Sequence, residues 1–397
     1  MRAFLKLICS CALGLAVWLP LAHHFFEMEQ AALSAGGENS RQARELAAGL
    51  MDEWASKEKR EAALERMARA NPEWSFMERT FLVLAFSNMA LRDPARQTEL
   101  LGIMDAIIGD TLRREAAGGA DQYLMGYGRR GGWVVPPGRS AMVDGEIALM
   151  LGVRRMVAER SDYQEPMRTR LEITQRRMER SPVLWAESYP DECWLFCNSV
   201  TLAAMRIKDA LDHTDHAAFC QRWVATARAK MTEPKTGLLI ATCHVNGRPA
   251  DAGQGPEGSS TWLSNHMLEL VDSAFAQDQH RRARPALGRD LLGFGYSREW
   301  PVGLESAEDV DSGPVLPWLG ASAPASGLAM VSAAGFHDTA FQRSLLATLE
   351  LGACPERSAG KLRYRASNSV GDAVLLYALT LGPMWEKVRL AEPHKEP

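Results

Sequence analysis

Helical segments rich in small apolar residues recur along this 397-residue chain and alternate with charged amphipathic segments. In the first group apolar side chains repeat at helical spacing, as at Val200, Ala204 and Ile207. The small-residue segments are 76–91, 145–157, 198–211, 260–275, 325–336 and 371–382. The charged segments are 41–69, 97–115, 163–179, 214–231, 276–292 and 338–350. Such an alternation is an internal repeat of helical hairpins.

This repeat predicts an all-α fold in which six helical hairpins close on themselves, an (α/α)6 barrel. Helices with small side chains suit a crowded inner ring, and charged amphipathic helices suit an outer ring with one face in water. An open α-solenoid is the alternative, although solenoids seldom place such varied polar loops before each inner helix. No linker divides the body, so we expect one barrel domain over residues 41–390.

The N-terminus has a different composition. Arg2 and Lys6 precede an uncharged apolar run from Leu7 to Ala22, which is the arrangement of a secretory signal. The small-residue cleavage motif is poor, which favours an uncleaved membrane anchor over a cleaved signal peptide. We expect residues 1–26 to be that signal or anchor and residues 27–40 a spacer. The charge distribution places the body outside the cytoplasm, membrane-anchored or periplasmic.

Charge and cysteine content exclude several classes of function. A net charge of −4 and the lack of a nucleic-acid-binding motif predict no nucleic-acid partner. The body cysteines are widely spaced and odd in number, which argues against a disulfide scaffold. Cys193 and Cys197 could bridge in an oxidising compartment, but one helix turn gives them awkward geometry. No second close Cys/His pair completes a zinc site, and no phosphate-binding loop is present, so we predict neither metal nor cofactor.

In a barrel of hairpins, the loops that lead into the inner helices surround one end, so their polar residues predict the site. The densest such stretch is "SYPDECWLFCNSV", residues 188–200. The predicted catalytic residues are Glu146, Asp191, Glu192, Cys197, Asp309 and Asp311. The predicted substrate-binding residues are Tyr189, Trp194, Asn198, His244, Glu257, Trp262 and Tyr364.

Carboxylates that converge on a partly apolar pocket have pKa values spread apart, so one can donate a proton while another accepts one. This pairing is what hydrolysis, elimination or hydration by acid–base catalysis requires. Structural roles are the alternative for each residue type. Buried thiols commonly only pack, Asp309 and Asp311 could cap a helix, and Trp194 or Trp262 could be wall or core.

Four stretches resemble the linalool dehydratase/isomerase family: "CWLFCNSVTLAAM", "DPARQ", "DVDSGPVLPWLGASAPASGLAM" and "LRYRASNSVGDAVLLYAL". Their order and spacing hold from Asn71 to Trp385, and the block from Cys197 to Val200 is the most specific part. The resemblance implies an (α/α)6 barrel, no cofactor, and acid–base chemistry on a terpene-like alcohol in an apolar pocket. It also implies an exported protein, with a ring-shaped homo-oligomer as a possible assembly.

Three positions depart from the family pattern. Cys197 matches the second of the family's paired cysteines, whereas Ser188 occupies the position of the first. Glu146 occupies the position of the family's catalytic histidine, and Gly258 that of a pocket tyrosine. The resemblance therefore carries over Cys197 alone from the acid–base set.

The primary expectation is a cofactor-independent lyase or isomerase, similar to a dehydratase, that acts on a small apolar alcohol. Since (α/α)6 barrels commonly host glycosidases and polysaccharide lyases, a sugar ligand is the second expectation. A non-catalytic, membrane-tethered binding or scaffold protein is the third. An enzyme needs at least two carboxylates that face one closed pocket, whereas a scaffold would have them dispersed or in salt bridges.

Overall fold

The computed structural model describes residues 2–26, 37–129, 131–250, 255–306 and 312–391. Asp309, Asp311 and most of the expected spacer 27–40 lie outside these ranges. The helices are α1 Arg2–Phe26, α2 Arg41–Ala55, α3 Lys57–Ala70, α4 Pro72–Arg92, α5 Gln97–Gly118, α6 Ala141–Val157, α7 Gln164–Arg180, α8 Leu195–Asp212, α9 Ala217–Lys230, α10 Gly258–Leu268, α11 Ser273–Leu287, α12 Ala323–Gly335, α13 Thr339–Gly352, α14 Ser369–Thr380 and α15 Pro383–Ala391. The strands are β1 Cys193–Trp194, β2 Thr242–Cys243, β3 Gly288–Leu291, β4 Phe294–Arg298, β5 Val315–Leu316, β6 Ala321–Ser322, β7 Pro355–Ser358 and β8 Lys361–Tyr364.

The even-numbered helices from α4 to α14 form a closed inner ring. Each one contacts the next, and α14 packs directly against α4. The outer helices α5, α7, α11 and α13 pack outside the inner helices that precede them in the chain, and α2 packs outside α14. The (α/α)6 barrel predicted from the repeat is therefore confirmed, and an open solenoid is excluded.

The inner helices are enclosed on all sides, which is why small residues suit them. Every residue of α6 and of α10 is buried. Polar side chains begin these helices at the barrel mouth: Asn71 caps α4, Ser140 caps α6, Ser322 caps α12 and Asn368 caps α14. Each of these caps satisfies a backbone N–H that the first helical turn leaves without an intrahelical partner.

The opposite, narrow end of the barrel is closed by the C-terminal helix α15. It contacts the inner helices α4, α6 and α8. The Trp385 indole stacks on the buried His266 ring at a centroid distance of 4.8 Å and donates to the His266 carbonyl at 3.3 Å. The backbone N–H of Met384 donates to Asn88 of α4 at 2.9 Å. The C-terminal helix thus closes the end of the barrel opposite the mouth.

Two segment boundaries differ from the sequence expectation. The inner segment predicted over 260–275 ends at Leu268, because Asp272 accepts a hydrogen bond from the Phe275 N–H and starts a new helix. The outer segment predicted over 41–69 is divided at Ser56, whose hydroxyl caps α3. Short capping side chains that interrupt a continuous apolar pattern account for both differences.

The loops between the helices contain short antiparallel strands. The helical pattern of the sequence does not predict these strands. β3, β4, β6 and β5 form one sheet, in that order, while β1 pairs with β2 and β7 with β8. The "NG" dipeptide at 246–247 lies in a tight turn, since Gly247 donates to the His244 carbonyl and Cys243 bridges to Pro249.

Helix α1 belongs to neither ring of the barrel and touches the body through its last turns. It is apolar enough to cross a membrane by length and composition, with a mean hydropathy of 2.0 over its most apolar window, and none of that window is buried. Its last turns contact the body, where the His23 ring meets the edge of Phe294 at 5.4 Å. This helix is compatible with either a signal sequence or an anchor.

Candidate active site

The loop that leads into α8 is fixed to the start of α6 by a buried carboxylate. Glu187 accepts hydrogen bonds from the backbone N–H groups of Val134, Val135 and Asp191, each at 2.9 Å. It also forms an ion pair with Arg177 at 3.2 Å. The Ala141 N–H, at the first turn of α6, donates to the Glu187 carbonyl at 2.8 Å. These bonds order the mouth and align α6 with α8.

Gly145 permits the close approach of α6 and α8. A Cβ atom at this position would lie 2.4 Å from Thr201 Oγ1 and 3.4 Å from the Cys197 carbonyl oxygen. Real side chains do not approach so closely, so a larger residue would force the helices apart. The contact brings Glu146, the next residue of α6, beside the first turn of α8.

Glu146 is the central polar group of the barrel. Its side chain is buried, with the residue 1% exposed, and Oε2 accepts a hydrogen bond from Thr80 Oγ1 of α4 at 2.5 Å. Oε1 has no hydrogen-bond partner among the described residues. Burial raises the pKa of Glu146 to about 8, the Thr80 hydrogen bond acts in the opposite direction, and the charge of Glu73 raises it further. The carboxyl is therefore predominantly protonated at neutral pH.

An apolar cavity lies beside this carboxyl. Its lining comes from four of the six inner helices: Thr80, Phe81, Leu84, Glu146, Leu149, Phe196, Val200, Leu263 and Met267. The volume that the centre of a water-sized sphere can occupy in this cavity is about 10 Å³. That is close to the minimum volume for one water molecule. A neutral acid next to an apolar, water-sized space is suited to donate its proton to a bound hydroxyl.

Cys197, in the first turn of α8, lies close to the same centre. The residue is buried, and burial raises the pKa of its thiol well above the usual range. The nearby Ser188 hydroxyl acts to lower that pKa, whereas the charges of Glu146 and Glu73 raise it. The thiol is consequently neutral and able to donate a hydrogen bond, and it does not have the lowered pKa of an activated nucleophile.

A second carboxyl lies towards the mouth. Glu73, in the first turn of α4, accepts a short hydrogen bond from the Tyr189 hydroxyl, which in turn accepts one from the Met125 N–H at 2.9 Å. The Tyr127 ring stacks on Tyr189 at 5.2 Å. Because the charge of Glu73 affects both Glu146 and Cys197, the three groups form one electrostatic unit.

Several predicted residues instead brace the mouth. Asp191 has a left-handed backbone, with φ of 60°, and turns its carboxylate away to accept from the Val245 N–H at 3.1 Å. Its Oδ2 lies 3.1 Å from His244 Nδ1, and His244 Nε2 lies 3.0 Å from the Ala250 carbonyl. The Asn198 amide bonds to the backbone of Ala186 and Trp194. These contacts connect loop to loop on the rim.

The remaining predicted residues are spread around the barrel. Glu192 accepts from the Trp194 indole at 3.4 Å on the rim, and Glu257 is buried directly before α10. Trp262 faces the outer layer, where its indole donates to Ser297 at 2.7 Å. Tyr364 is also remote from the cavity, since its hydroxyl bonds to Glu350 of α13 and Gln42 of α2. Of the predicted set, Glu146, Cys197 and Tyr189 lie together.

Glu73 and Thr80 belong to this group but do not stand out in the sequence. The "NPEW" stretch at 71–74 is the polar start of the first inner helix, and Glu73 would have been found by treating this start like the loops that lead into the five later inner helices. Thr80 lies within an apolar helix, where only its partner identifies it. Within the described ranges, no cluster of three or more His, Cys, Asp or Glu side chains could hold a metal ion.

The fold and this centre define an α/α barrel with a buried acid at the base of its mouth. Within that class, the chain belongs to the linalool dehydratase/isomerase family, whose model matches residues 142–370, more than half of the 397 residues. Family membership supports an enzyme of the dehydratase/isomerase type. Among curated proteins, no sequence matches this chain.

Three solved structures serve as examples of a similar fold. A GH76 α-mannanase of Bacteroides thetaiotaomicron is 10% identical, with a TM-score of 0.49 over 79% of this chain and 87% of that chain. An unsaturated glucuronyl hydrolase of Bacillus sp. GL1 is 12% identical, with a TM-score of 0.48 over 76% and 84%. A possible GH105 member of Klebsiella pneumoniae is 15% identical, with a TM-score of 0.49 over 79% and 82%. Likenesses of this size carry no information about the substrate.

Proposed function

We propose that the protein is a cofactor-independent acid–base lyase or isomerase that removes water from, or adds it to, a small and mainly apolar alcohol of the terpenoid type. The observation that carries this proposal is the state of Glu146. Its carboxyl is buried and protonated, with one oxygen without a partner among the described residues, and it lines an apolar cavity. A general acid held in this way keeps its proton until a hydroxyl group is placed against it.

In the dehydration direction, the proton moves from Glu146 to the substrate hydroxyl. The carbon–oxygen bond breaks with both electrons on oxygen, and water leaves. A base removes a proton from the neighbouring carbon, and the electrons of that carbon–hydrogen bond form the double bond. We assign the base role to Glu73, whose charge acts on Glu146 and which the Tyr189 hydroxyl orients by its hydrogen bond. Glu73 is not among the cavity-lining residues, so the substrate would have to extend from the cavity towards the mouth to reach it. Addition of water to the other end of an allylic system would give the isomerised alcohol.

Cys197 has a supporting role in this scheme. Its buried thiol is neutral, so it can hydrogen-bond to the departing oxygen as a second donor without competing with Glu73 for a proton. Asp191, a sequence-based candidate for the acid or base, is assigned no part in catalysis, because it bonds to His244 and the Val245 N–H.

The cavity favours an apolar substrate over a sugar. Seven of its nine lining residues are hydrocarbon or thioether side chains, and Thr80 and Glu146 supply its polar groups. An oligosaccharide would leave most of its hydroxyl groups without partners against such walls, which is costly. Phe196 is half-buried at the edge of the cavity, and a ten-carbon alcohol requires it to rotate, since the present space is about 10 Å³.

The test is turnover of a panel of short tertiary and allylic alcohols by the full chain, with alkene and rearranged alcohol quantified by gas chromatography. Glu146→Gln keeps the shape of the side chain and removes the transferable proton, so we expect a rate loss of about 10²- to 10⁴-fold. The matched control is Glu78→Gln. Glu78 is also buried with a raised pKa but is not among the cavity-lining residues, so its variant should keep full activity.

Either of two turnover results would overturn the proposal, as would binding without turnover. One is full turnover by the Glu146→Gln variant. The other is turnover of oligosaccharides, with no alcohol on the panel accepted, which would favour the carbohydrate alternative. Binding of a terpenoid without conversion by a folded wild-type chain would favour a non-catalytic binding protein.

A further inference from the structure

The two-stranded pairing at the barrel mouth places two cysteines directly opposite each other. Cys193 of β1 and Cys243 of β2 are Cα partners in the antiparallel register. Both are fully buried, and the neighbouring Cys243 thiol raises the pKa of Cys193. Opposed residues in antiparallel strands have Cα atoms about 4.5–5.5 Å apart, which lies inside the range of about 4.4–6.8 Å seen for disulfides.

The other pairing suggested by the sequence, between Cys193 and Cys197, has no such support. Cys193 lies opposite Cys243 in the strand register, and its Sγ donates to the Trp185 carbonyl at 3.7 Å, whereas the Cys197 thiol lies beside Ser188 and Glu146. The two side chains therefore have separate surroundings. Of the four buried cysteines, Cys193 and Cys243 are the two that face each other across paired strands.

We propose that Cys193 and Cys243 form a disulfide bond when the chain matures in an oxidising compartment. The apolar helix α1 is compatible with export to such a compartment, where disulfides persist. Two thiols exchange with an external disulfide, so that one protein disulfide forms and the external disulfide is reduced to two thiols with conservation of protons and electrons. Since both sulfurs are buried in the folded chain, the exchange takes place before the mouth has packed.

The disulfide would also affect the proposed active site. Only this effect rests on the proposed function; the disulfide itself does not. β1 ends at Trp194, directly before α8, which carries Cys197 in its first turn. A covalent link from β1 to β2 fixes the entry of α8. It also consumes the thiol nearest in sequence to Cys197, which protects Cys197 from exchange and keeps its thiol available as a hydrogen-bond donor.

The experiment is peptide mapping of the full chain, exported with its own N-terminal segment, denatured without reductant and alkylated with iodoacetamide. We expect the peptide with Cys193 to be linked to the peptide with Cys243, while Cys197 and Cys220 are alkylated. Reduction should lower the Tm of the wild type by roughly 5 °C, because the closed loop constrains the unfolded chain. The Tm of Cys243→Ser should not respond to reductant.

Cys220→Ser is the matched control, since Cys220 is equally buried but lies on α9. It should retain both the link and the Tm response. Alkylation of Cys193 and Cys243 as thiols in the exported wild type would overturn the proposal, as would a link from Cys193 to Cys197. Peptide mapping needs no enzymatic activity, so its failure and the failure of the proposed function are distinguishable.

Discussion

Thr80 of α4 donates a hydrogen bond of 2.5 Å to one carboxyl oxygen of Glu146 of α6, whereas the other oxygen has no hydrogen-bond partner among the described residues. The threonine thus fixes the rotation of the carboxyl so that the second oxygen is available to a ligand. It also stabilises the ionised form and so moderates the rise in pKa that burial causes.

Removal of this donor should raise the pKa of Glu146 above about 8. In Thr80→Val the side chain keeps its shape and loses the hydroxyl, so the carboxylate loses its hydrogen bond. Infrared difference spectra between pH 6 and pH 10 report the protonated carboxyl band. We expect its midpoint at higher pH in Thr80→Val, and loss of the signal in Glu146→Gln. A midpoint below that of the wild type would contradict the assignment.

Stability should fall as the pH rises from 5.5 to 9. Burial raises the pKa of Glu78 from 4.5 to about 7. The folded state therefore binds more protons than the unfolded state, and the stability present below pH 4.5 is lost as the pH passes 7. For Glu78 the loss is roughly 3 kcal/mol once it is fully ionised. Tm measured across this range should decline less steeply in Glu78→Gln, whereas the exposed Glu61→Gln should follow the wild type.

Gly145→Ala should destabilise the barrel by about 1–3 kcal/mol, because the added methyl would lie 2.4 Å from Thr201 Oγ1. Urea unfolding measures the cost, and the additional change Thr201→Ala should recover part of it. The control is Gly102→Ala on α5, where nothing lies within 4 Å of the added carbon. Alanine should stabilise that helix by about 0.5–1 kcal/mol. Equal effects at the two glycines would show that helix propensity alone is responsible.

Trp385→Ala should release the helix that closes the base of the barrel. The indole is 2% exposed and stacks on His266, so its loss should cost about 3–5 kcal/mol. Leu390→Ala on the same helix removes a side chain that is 73% exposed, and it should stay within about 0.5 kcal/mol of the wild type. Chemical denaturation gives both values. A small effect at Trp385 would mean that α15 is not integral to the barrel.

The alternation of small-residue and charged segments predicts the ring because it records which helices are enclosed and which face water. Val200 and Ala204 identify the inner face of α8 by spacing alone. The sequence pattern does not predict the strands, because β1 and β2 have two residues each, too few for an alternation of apolar and polar residues.

The site is harder to predict from the sequence, because composition does not show in which direction a side chain points. Asp191 and Glu146 are both carboxylates in the polar stretches around inner helices, yet a left-handed turn directs Asp191 to His244 on the rim. Trp262 lies on a helix that is buried on every side, so its sequence context does not distinguish the cavity from the outer layer. Thr80 becomes significant only through Glu146, a partner 66 residues away.

The contact between α4 and α14 joins the first and last helices of the inner ring. A growing chain can therefore form five neighbouring inner helices while the seam between the first and the fifth stays open. Contacts between such distant segments form late, because the entropy of closing a long loop is lost before the contact stabilises the chain. Until α14 docks, the apolar side of α4 faces water, and the incomplete barrel is exposed to aggregation.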